Sequence, residues 1–127
     1  MEKRSLMHGV EHDGVVHYDY TVRMPVVRDT MEALRLTDEA YGATEGPAAG
    51  MYYRVALMAL AMTSLGTLSA DEITPELLAD NLSDDDFDLI DAEMSAIKKK
   101  RMDARNSSAD TALPSLPSGA AVLPNSA

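Results

Sequence analysis

The feature that most constrains this chain is the fifteen-residue run MYYRVALMALAMTSL at residues 51–65, in which Arg54 is the only charged residue. Four of its apolar residues recur at the spacing of one helical face: Val55, Met58, Met62 and Leu65. Because apolar side chains also occupy the opposite face, such a helix must be covered on more than one side. It would be roughly 22 Å long, short of the roughly 30 Å hydrocarbon core of a bilayer. The run therefore predicts the central helix of a small soluble domain.

This central helix is not expected to be stable alone. Fixing its backbone costs about 1–2 kcal/mol per residue, and burial returns roughly 1.5–3 kcal/mol only for each large apolar side chain. The rest of the chain, a partner, or both must cover it. The candidate partner-binding residues combine adaptable apolar side chains with types enriched at interface hot spots: Tyr52, Tyr53, Arg54, Leu57, Met58, Ala61 and Met62. For the two tyrosines, a place in the core is an equal alternative.

Composition excludes several classes of function. The 127 residues contain no cysteine, which excludes disulfides, thiolate metal sites and cysteine nucleophiles and is compatible with a reducing cytoplasm. The formal charge of −10 argues against nucleic-acid binding, because neutralising phosphates requires clustered lysine and arginine. The charged first residues lead into no apolar run, so we expect no secretion signal.

Residues 4–24 have the pattern of a β-hairpin. Along the second strand apolar and polar residues alternate, which predicts an apolar face made of Val16, Tyr18, Tyr20, Val22 and Met24. Ahead of this strand, Asp13 and Gly14 supply a tight turn. Pro25 then ends the strand, because proline has no N–H to donate to a sheet.

Three further helices are predicted around the central one. The first covers about residues 27–41, carries Val27, Met31 and Leu34 on one apolar face, and ends at Gly42. Residues 42–50 contain three glycines and one proline and are therefore expected to form a loop.

The two later helices have clear N-terminal signals. Thr74 caps a short helix over about residues 75–81, with Pro75 at its first position. Ser83 caps a helix over about residues 84–102, and the three acids that follow the cap oppose the positive end of the helix dipole. From residue 106 onward Ser, Ala, Pro and Gly dominate, a composition typical of disorder.

The predicted fold class is therefore α+β. A small N-terminal β-hairpin packs on a bundle of about four helices within one domain at residues 1–105, and a disordered tail occupies residues 106–127. No catalytic residue or cofactor is predicted. His8, His12 and His17 lie near Asp13, but they lack the spacing of a metal motif, so we predict no metal site.

Acidic residues are concentrated in the second half of the domain. Between Asp71 and Glu93 the sequence has ten acidic residues and no basic one. A solvated surface that keeps the protein soluble is one interpretation. The other is an acidic surface that steers a basic partner or repels a wrong one.

The order of these elements resembles a known family. The segment VHYDYTVRMPVVRD at residues 16–29 is similar to the tail assembly chaperones of long-tailed bacteriophages, in particular the Mu-type tail assembly proteins. In that family a hairpin ends in Arg-x-Pro and a helix begins around an Asp, which correspond here to Arg23, Pro25 and Asp29. An apolar helix, a short Leu-rich helix and an Asp-led helix then follow, as in this chain. The resemblance covers about residues 6–102.

The resemblance implies a non-catalytic chaperone that binds the tape-measure protein during tail morphogenesis. Such a protein acts in the host bacterial cytoplasm and is absent from the mature virion. The tail tube protein as a second client and a homo-oligomer both stay open, and neither nucleic acid nor membrane is an expected partner. Two alternatives remain, a minor structural tail or head-completion protein of the virion and a small acidic inhibitor or DNA mimic.

Overall fold

The computed structural model of the chain describes residues 3–108. Two compact units divide the chain, one ending at Ser95 and the other beginning at Ala96. The described residues form a three-stranded antiparallel sheet and four α-helices, so the predicted α+β class is confirmed. None of the described helices is both long enough and apolar enough to cross a membrane.

The sheet consists of β1 (Arg4–His12), β2 (Val15–Val22) and β3 (Met62–Leu65), paired in the order β1-β2-β3. The first two strands form the predicted hairpin. Asp13 and Gly14 make its turn with φ values of 52° and 78°, the left-handed conformation that a two-residue hairpin turn requires.

The predicted alternation along β2 holds for only part of the strand. Tyr20 and Val22 are buried as expected, but Val16 and Tyr18, nearer the hairpin turn, stay exposed. His17, on the predicted polar side, is buried because the turn after β3 covers it, and its Nδ1 accepts a 3.4 Å hydrogen bond from the Thr67 N–H. Gly66 lies so close to the His17 ring that any Cβ there would collide with it.

The helices are α1 (Val27–Tyr41), α2 (Pro47–Ala61), α3 (Pro75–Asn81) and α4 (Asp84–Ser108). A short 3-10 helix at Ala70–Glu72 precedes α3. Both predicted side-chain caps are present. Thr74 Oγ1 accepts from the Leu77 N–H at 3.1 Å, and Ser83 Oγ accepts from the Asp86 N–H at 3.1 Å.

The prediction of one helix over residues 51–65 is wrong at both ends. Helix α2 begins four residues earlier, with Pro47 at its first turn, so that the predicted loop over residues 42–50 is helical in its last part. It stops at Ala61, and the next four residues form β3 on the free edge of β2, with Val22 opposite Met62 and Tyr20 opposite Leu65. A short apolar run suits a buried strand as well as a helix, and pairing with β2 decides between them here.

Helix α1 has the predicted bounds but does not bury its apolar face. Val27 is 76% exposed and Met31 is 55% exposed, and Leu34 is exposed as well. The helix packs on α2, and its buried residues are instead Asp29, Ala33 and Thr37. Small side chains on this side allow a close approach to α2, whose Ala49 and Ala56 are also buried.

The unit that begins at Ala96 contains the C-terminal part of α4. The helix continues to Ser108, six residues beyond the predicted end at 102 and three into the segment predicted to be disordered from residue 106. An ion pair one helical turn apart, between Lys99 Nζ and Asp103 Oδ2 at 2.9 Å, lies in this extension. The rest of the predicted tail, residues 109–127, lies outside the described residues.

A wide bulge in β1 holds the N-terminus of α4. Between Ser5 and Val10 strand β1 advances five residues while β2 advances two, from Asp19 to His17. The extra residues turn three successive backbone N–H groups towards one carboxylate, that of Asp86. The N–H of Met7 donates to Oδ1 at 2.7 Å, and those of His8 and Gly9 donate to Oδ2 at 2.9 and 3.0 Å.

The Asp86 carboxylate is fully buried and ionised in this setting. Burial by itself raises the pKa of Asp86, but the three backbone donors together outweigh it, so that the pKa lies below its ordinary value. The bulge is therefore an anion-binding nest that the chain fills with its own side chain.

Replacing Asp86 should destabilise the fold strongly. The variant Asp86→Ala leaves the three N–H groups without their acceptor, and we expect the free energy of unfolding to fall by about 2–4 kcal/mol. The control is Asp85→Ala, because Asp85 is 69% exposed and its described ion pair is with the exposed His8. It should cost less than about 1 kcal/mol. Urea unfolding followed by circular dichroism measures both, and equal losses would contradict the assigned role of Asp86.

Candidate functional site

The chain itself covers most of the central helix α2. Three of the candidate partner-binding residues, Met58, Ala61 and Met62, are buried and belong to the core of this monomer. Tyr52, Tyr53 and Leu57 are half-buried, and Arg54 is exposed. The structure therefore divides the seven candidates, and those that reach solvent lie in the N-terminal half of α2 and at Leu57.

An open groove of about 310 Å³ lies beside this N-terminal half. Met51, Tyr52 and Val55 form its floor on α2, and Met51 remains 41% exposed. Ala48 adds to the floor on α2. The walls are formed by Tyr41 from α1, Leu78 and Ala79 from α3, Leu82 directly after α3, and Asp84 and Phe87 from α4. Its volume is at the lower end of the roughly 300–1,000 Å³ typical of ligand clefts.

Tyr52 is the polar group best placed in the groove. Its ring lies 5.4 Å from that of Tyr41, measured between centroids, at an interplanar angle of 60°. Its hydroxyl donates a 2.6 Å hydrogen bond to Glu76 Oε2. Burial, this hydrogen bond and the negative charges of Glu76 and Glu39 raise the pKa of Tyr52 to about 12. The Tyr52 phenol therefore stays protonated and donates its hydrogen bond, and the carboxylates near it are negatively charged.

Arg54 is a basic residue that contacts the lining of the groove. Its guanidinium carbon lies 4.9 Å from the centroid of the Phe87 ring, within the range of a cation–π contact. The same guanidinium pairs with Asp91 at 3.8 Å. Arg54 thus packs against α4, and within residues 3–108 its described ion pair is with Asp91 and not with Glu76 or Asp84.

The residues that carry the family resemblance meet at a second place, the junction of β2, α1 and α2. The Arg23 guanidinium donates to both carboxylate oxygens of Asp29, at 2.6 and 2.9 Å, and to the Leu60 carbonyl at 3.0 Å. Asp29 also accepts from the Val26 N–H at 2.7 Å, which caps α1. Pro25 lies between the two charged residues and ends the strand. The junction fixes the direction in which α1 leaves the sheet.

Charge and burial act in opposite directions on Asp29. The hydrogen bonds from Arg23 lower the pKa of the Asp29 carboxyl, burial raises it, and the Val26 N–H lowers it further, so that it lies below its ordinary value. The side chain of Asp29 is only 9% exposed. Its low exposure and its two hydrogen bonds to the Arg23 guanidinium suit a structural ion pair.

The described part of the chain contains no group of three or more His, Asp or Glu side chains that could hold a metal ion. The three histidines lie apart in their contacts. His8 pairs with Asp85 and His12 with Asp13 and Glu72, whereas His17 is buried against the turn after β3.

Comparison of the chain with protein-family models, with curated proteins and with solved structures found no match. The assignment of a function therefore depends on the geometry of the groove and on the residue pattern of the sequence.

Sequence reasoning missed most of the groove lining. Of the lining residues only Tyr52 was a candidate, while Met51, Ala79 and Leu82 were not. The pattern of α3 contained a usable signal, because Leu78 and Leu82 lie four residues apart and Ala79 extends the same face. The pattern could not show how close this face lies to α2.

The Arg23–Asp29 ion pair should make stability depend on acid pH. Because the folded-state pKa of Asp29 lies below the ordinary value of 3.8, the pair contributes fully above that pH and loses its contribution as pH falls through the folded-state value. The variant Asp29→Asn should therefore have a shallower decline of the unfolding free energy below about pH 4. Urea unfolding across pH measures the slope. Asp38→Asn, an exposed acid on the same helix, should leave it unchanged, and a wild-type slope in Asp29→Asn would contradict the assignment.

Proposed function

We propose that this chain is a tail assembly chaperone of a long-tailed bacteriophage. In this role it is a non-catalytic protein of the host cytoplasm that binds the tape-measure protein, with the tail tube protein as a second candidate client. It leaves before the virion is complete. The residue pattern of Arg23, Pro25 and Asp29 and the order of elements around the apolar helix suggest the family, and the groove supplies a physical means of binding.

One observation carries the proposal. The central helix keeps apolar surface that residues 3–108 do not fully cover, at the exposed Met51 and the half-buried Tyr52, and this surface lies in a groove between helices. Grooves of this kind accept the apolar face of an amphipathic helix through anchors spaced three or four residues apart. A tape-measure protein is long and helical, so it offers many such faces.

The groove also suits a transient contact. Its small volume admits only a few anchor side chains at once, and a small contact area favours a weak, reversible complex. A chaperone must release its client when the tube assembles. Several copies bound along one long client would together protect it while each contact stays weak.

Charge placed in the groove should abolish client binding without unfolding the protein. Met51→Glu and Ala79→Glu each put a carboxylate among the lining residues at an exposed helical position. We expect each to weaken capture of co-expressed tape-measure protein by at least about tenfold, equivalent to about 1.4 kcal/mol. The matched control is Met31→Glu, the same substitution at an exposed methionine on α1 that does not line the groove.

The measurement is a pull-down with purified variants whose folding has been checked by circular dichroism. A folded groove variant that captures the client as well as wild type would refute the groove as the binding site. Failure of the wild type to capture or solubilise the tape-measure protein would refute the chaperone function. Mass spectrometry of purified particles separates the main alternative, because a minor structural protein is present in the virion and a chaperone is absent.

A further inference from the structure

Acidic residues from α1, α3 and α4 lie around the groove and form its rim. Asp84, at the start of α4, is itself a lining residue. Glu76, on α3, reaches the groove through its hydrogen bond with the Tyr52 hydroxyl. Glu39 is exposed near the end of α1, two residues before the lining residue Tyr41, and its charge contributes to the raised pKa of Tyr52. Three different helices thus contribute carboxylates around one apolar floor.

Few cations offset this charge. The groove-lining residues of α3 and α4 lie within the segment from Asp71 to Glu93, which has no basic residue. Arg35 approaches Glu39 at 3.9 Å but is held by two shorter hydrogen bonds to Glu32, at 2.8 and 2.9 Å. Arg54 is directed at Asp91. Burial is the main cause of the raised pKa of Tyr52, and the hydrogen bond to Glu76 and the charges of Glu76 and Glu39 raise it further.

Such a rim discriminates between possible occupants. The net charge of −10 opposes the approach of a second copy as a whole, although each copy carries four consecutive basic residues at Lys98–Arg101 of α4. An amphipathic helix with acidic flanks is disfavoured for the same reason. A helix with Lys or Arg beside its apolar anchors gains from apolar burial and from charge attraction, because the anchors cover the floor and the cations approach the rim carboxylates.

We infer that the groove selects a basic amphipathic helix, one in which Lys or Arg residues flank apolar anchors at three- or four-residue spacing. This inference rests on the proposed function and names the kind of client segment that the groove binds. Selection acts through the rim at Glu39, Glu76 and Asp84, whereas the apolar floor is indifferent to the charge of the flanks.

Two synthetic peptides test the inference on the full chain. Both are about 20 residues long so that they can form a helix, and both carry the same leucine anchors, but one has lysine flanks and the other glutamate flanks. Fluorescence anisotropy measures the Kd of each. In about 0.1 M salt the lysine peptide should bind at least about tenfold more tightly. The preference should shrink towards unity in about 1 M salt, because the Debye length falls from about 10 Å to about 3 Å.

Two triple variants locate the effect. The rim variant Glu39→Gln/Glu76→Gln/Asp84→Asn should lose most of the preference for lysine flanks. The control variant Glu11→Gln/Asp13→Asn/Asp19→Asn removes the same number of charges from exposed positions on the hairpin, none of which lines the groove. It should keep the preference. Equal loss in both variants would show a response to net charge and would overturn selection by the rim.

The outcomes also separate this inference from the proposed function. If both peptides bind wild type equally and Met51→Glu abolishes binding of each, the groove remains a docking site but its selectivity for basic helices is refuted. If neither peptide binds, helix docking in the groove is refuted together with its selectivity. Tighter binding of the glutamate peptide would overturn the inference directly.

Discussion

The structure depends on the burial of one carboxylate in a nest of backbone donors. Asp86 binds three successive N–H groups of β1 and thereby ties the first turn of the last helix to the first strand of the sheet. These segments lie almost eighty residues apart in the chain. An ionised group taken out of water is costly unless its hydrogen bonds are fully replaced, and here the extra residues of the bulge provide that replacement. The same contact sets the place of Asp84 and Phe87, which form one wall of the groove.

A second polar junction ties β2 to α1 and α2. Arg23 joins Asp29 on α1 to the Leu60 carbonyl on α2, while its own backbone N–H donates to the Ala61 carbonyl at 2.9 Å. The first contact fixes the start of α1, and the other two hold the end of α2 to the sheet where β3 begins. Because α1 begins and α2 ends at this junction and the two helices pack on each other, the C-terminal end of α1 at Tyr41 lies beside the N-terminal half of α2, where the groove opens.

The acidic character of the chain acquires two roles in this arrangement. Most of its carboxylates are exposed, and charge of one sign on a small domain opposes self-association. Around the groove the same charges surround an apolar floor, which would otherwise be a site for unselective hydrophobic contact. In the proposed role, an acidic rim around an apolar floor would favour a cationic helix over an acidic one.

Local chemistry allowed much of the fold to be predicted from the sequence. The turn at Asp13 and Gly14, the end of β2 at Pro25 and the caps at Thr74 and Ser83 each depend on residues within a few positions of one another. The α+β class followed from these signals. The residue pattern of Arg23 and Asp29 was also visible, although their ion pair was not, since spacing alone does not show which partner a charged side chain will meet.

Only the tertiary structure decided which apolar residues are buried and which stay exposed. The sequence by itself determined that residues 51–65 must be covered, but it could not show that Met62–Leu65 leave the helix to pair with β2. It showed the apolar face of α1 but not that Ala33 and Thr37 would be buried in its place. The groove itself was not predictable. The physical reason is that helix caps and turns are satisfied by neighbours in sequence, whereas burial and strand pairing depend on which distant segments pack against each apolar face.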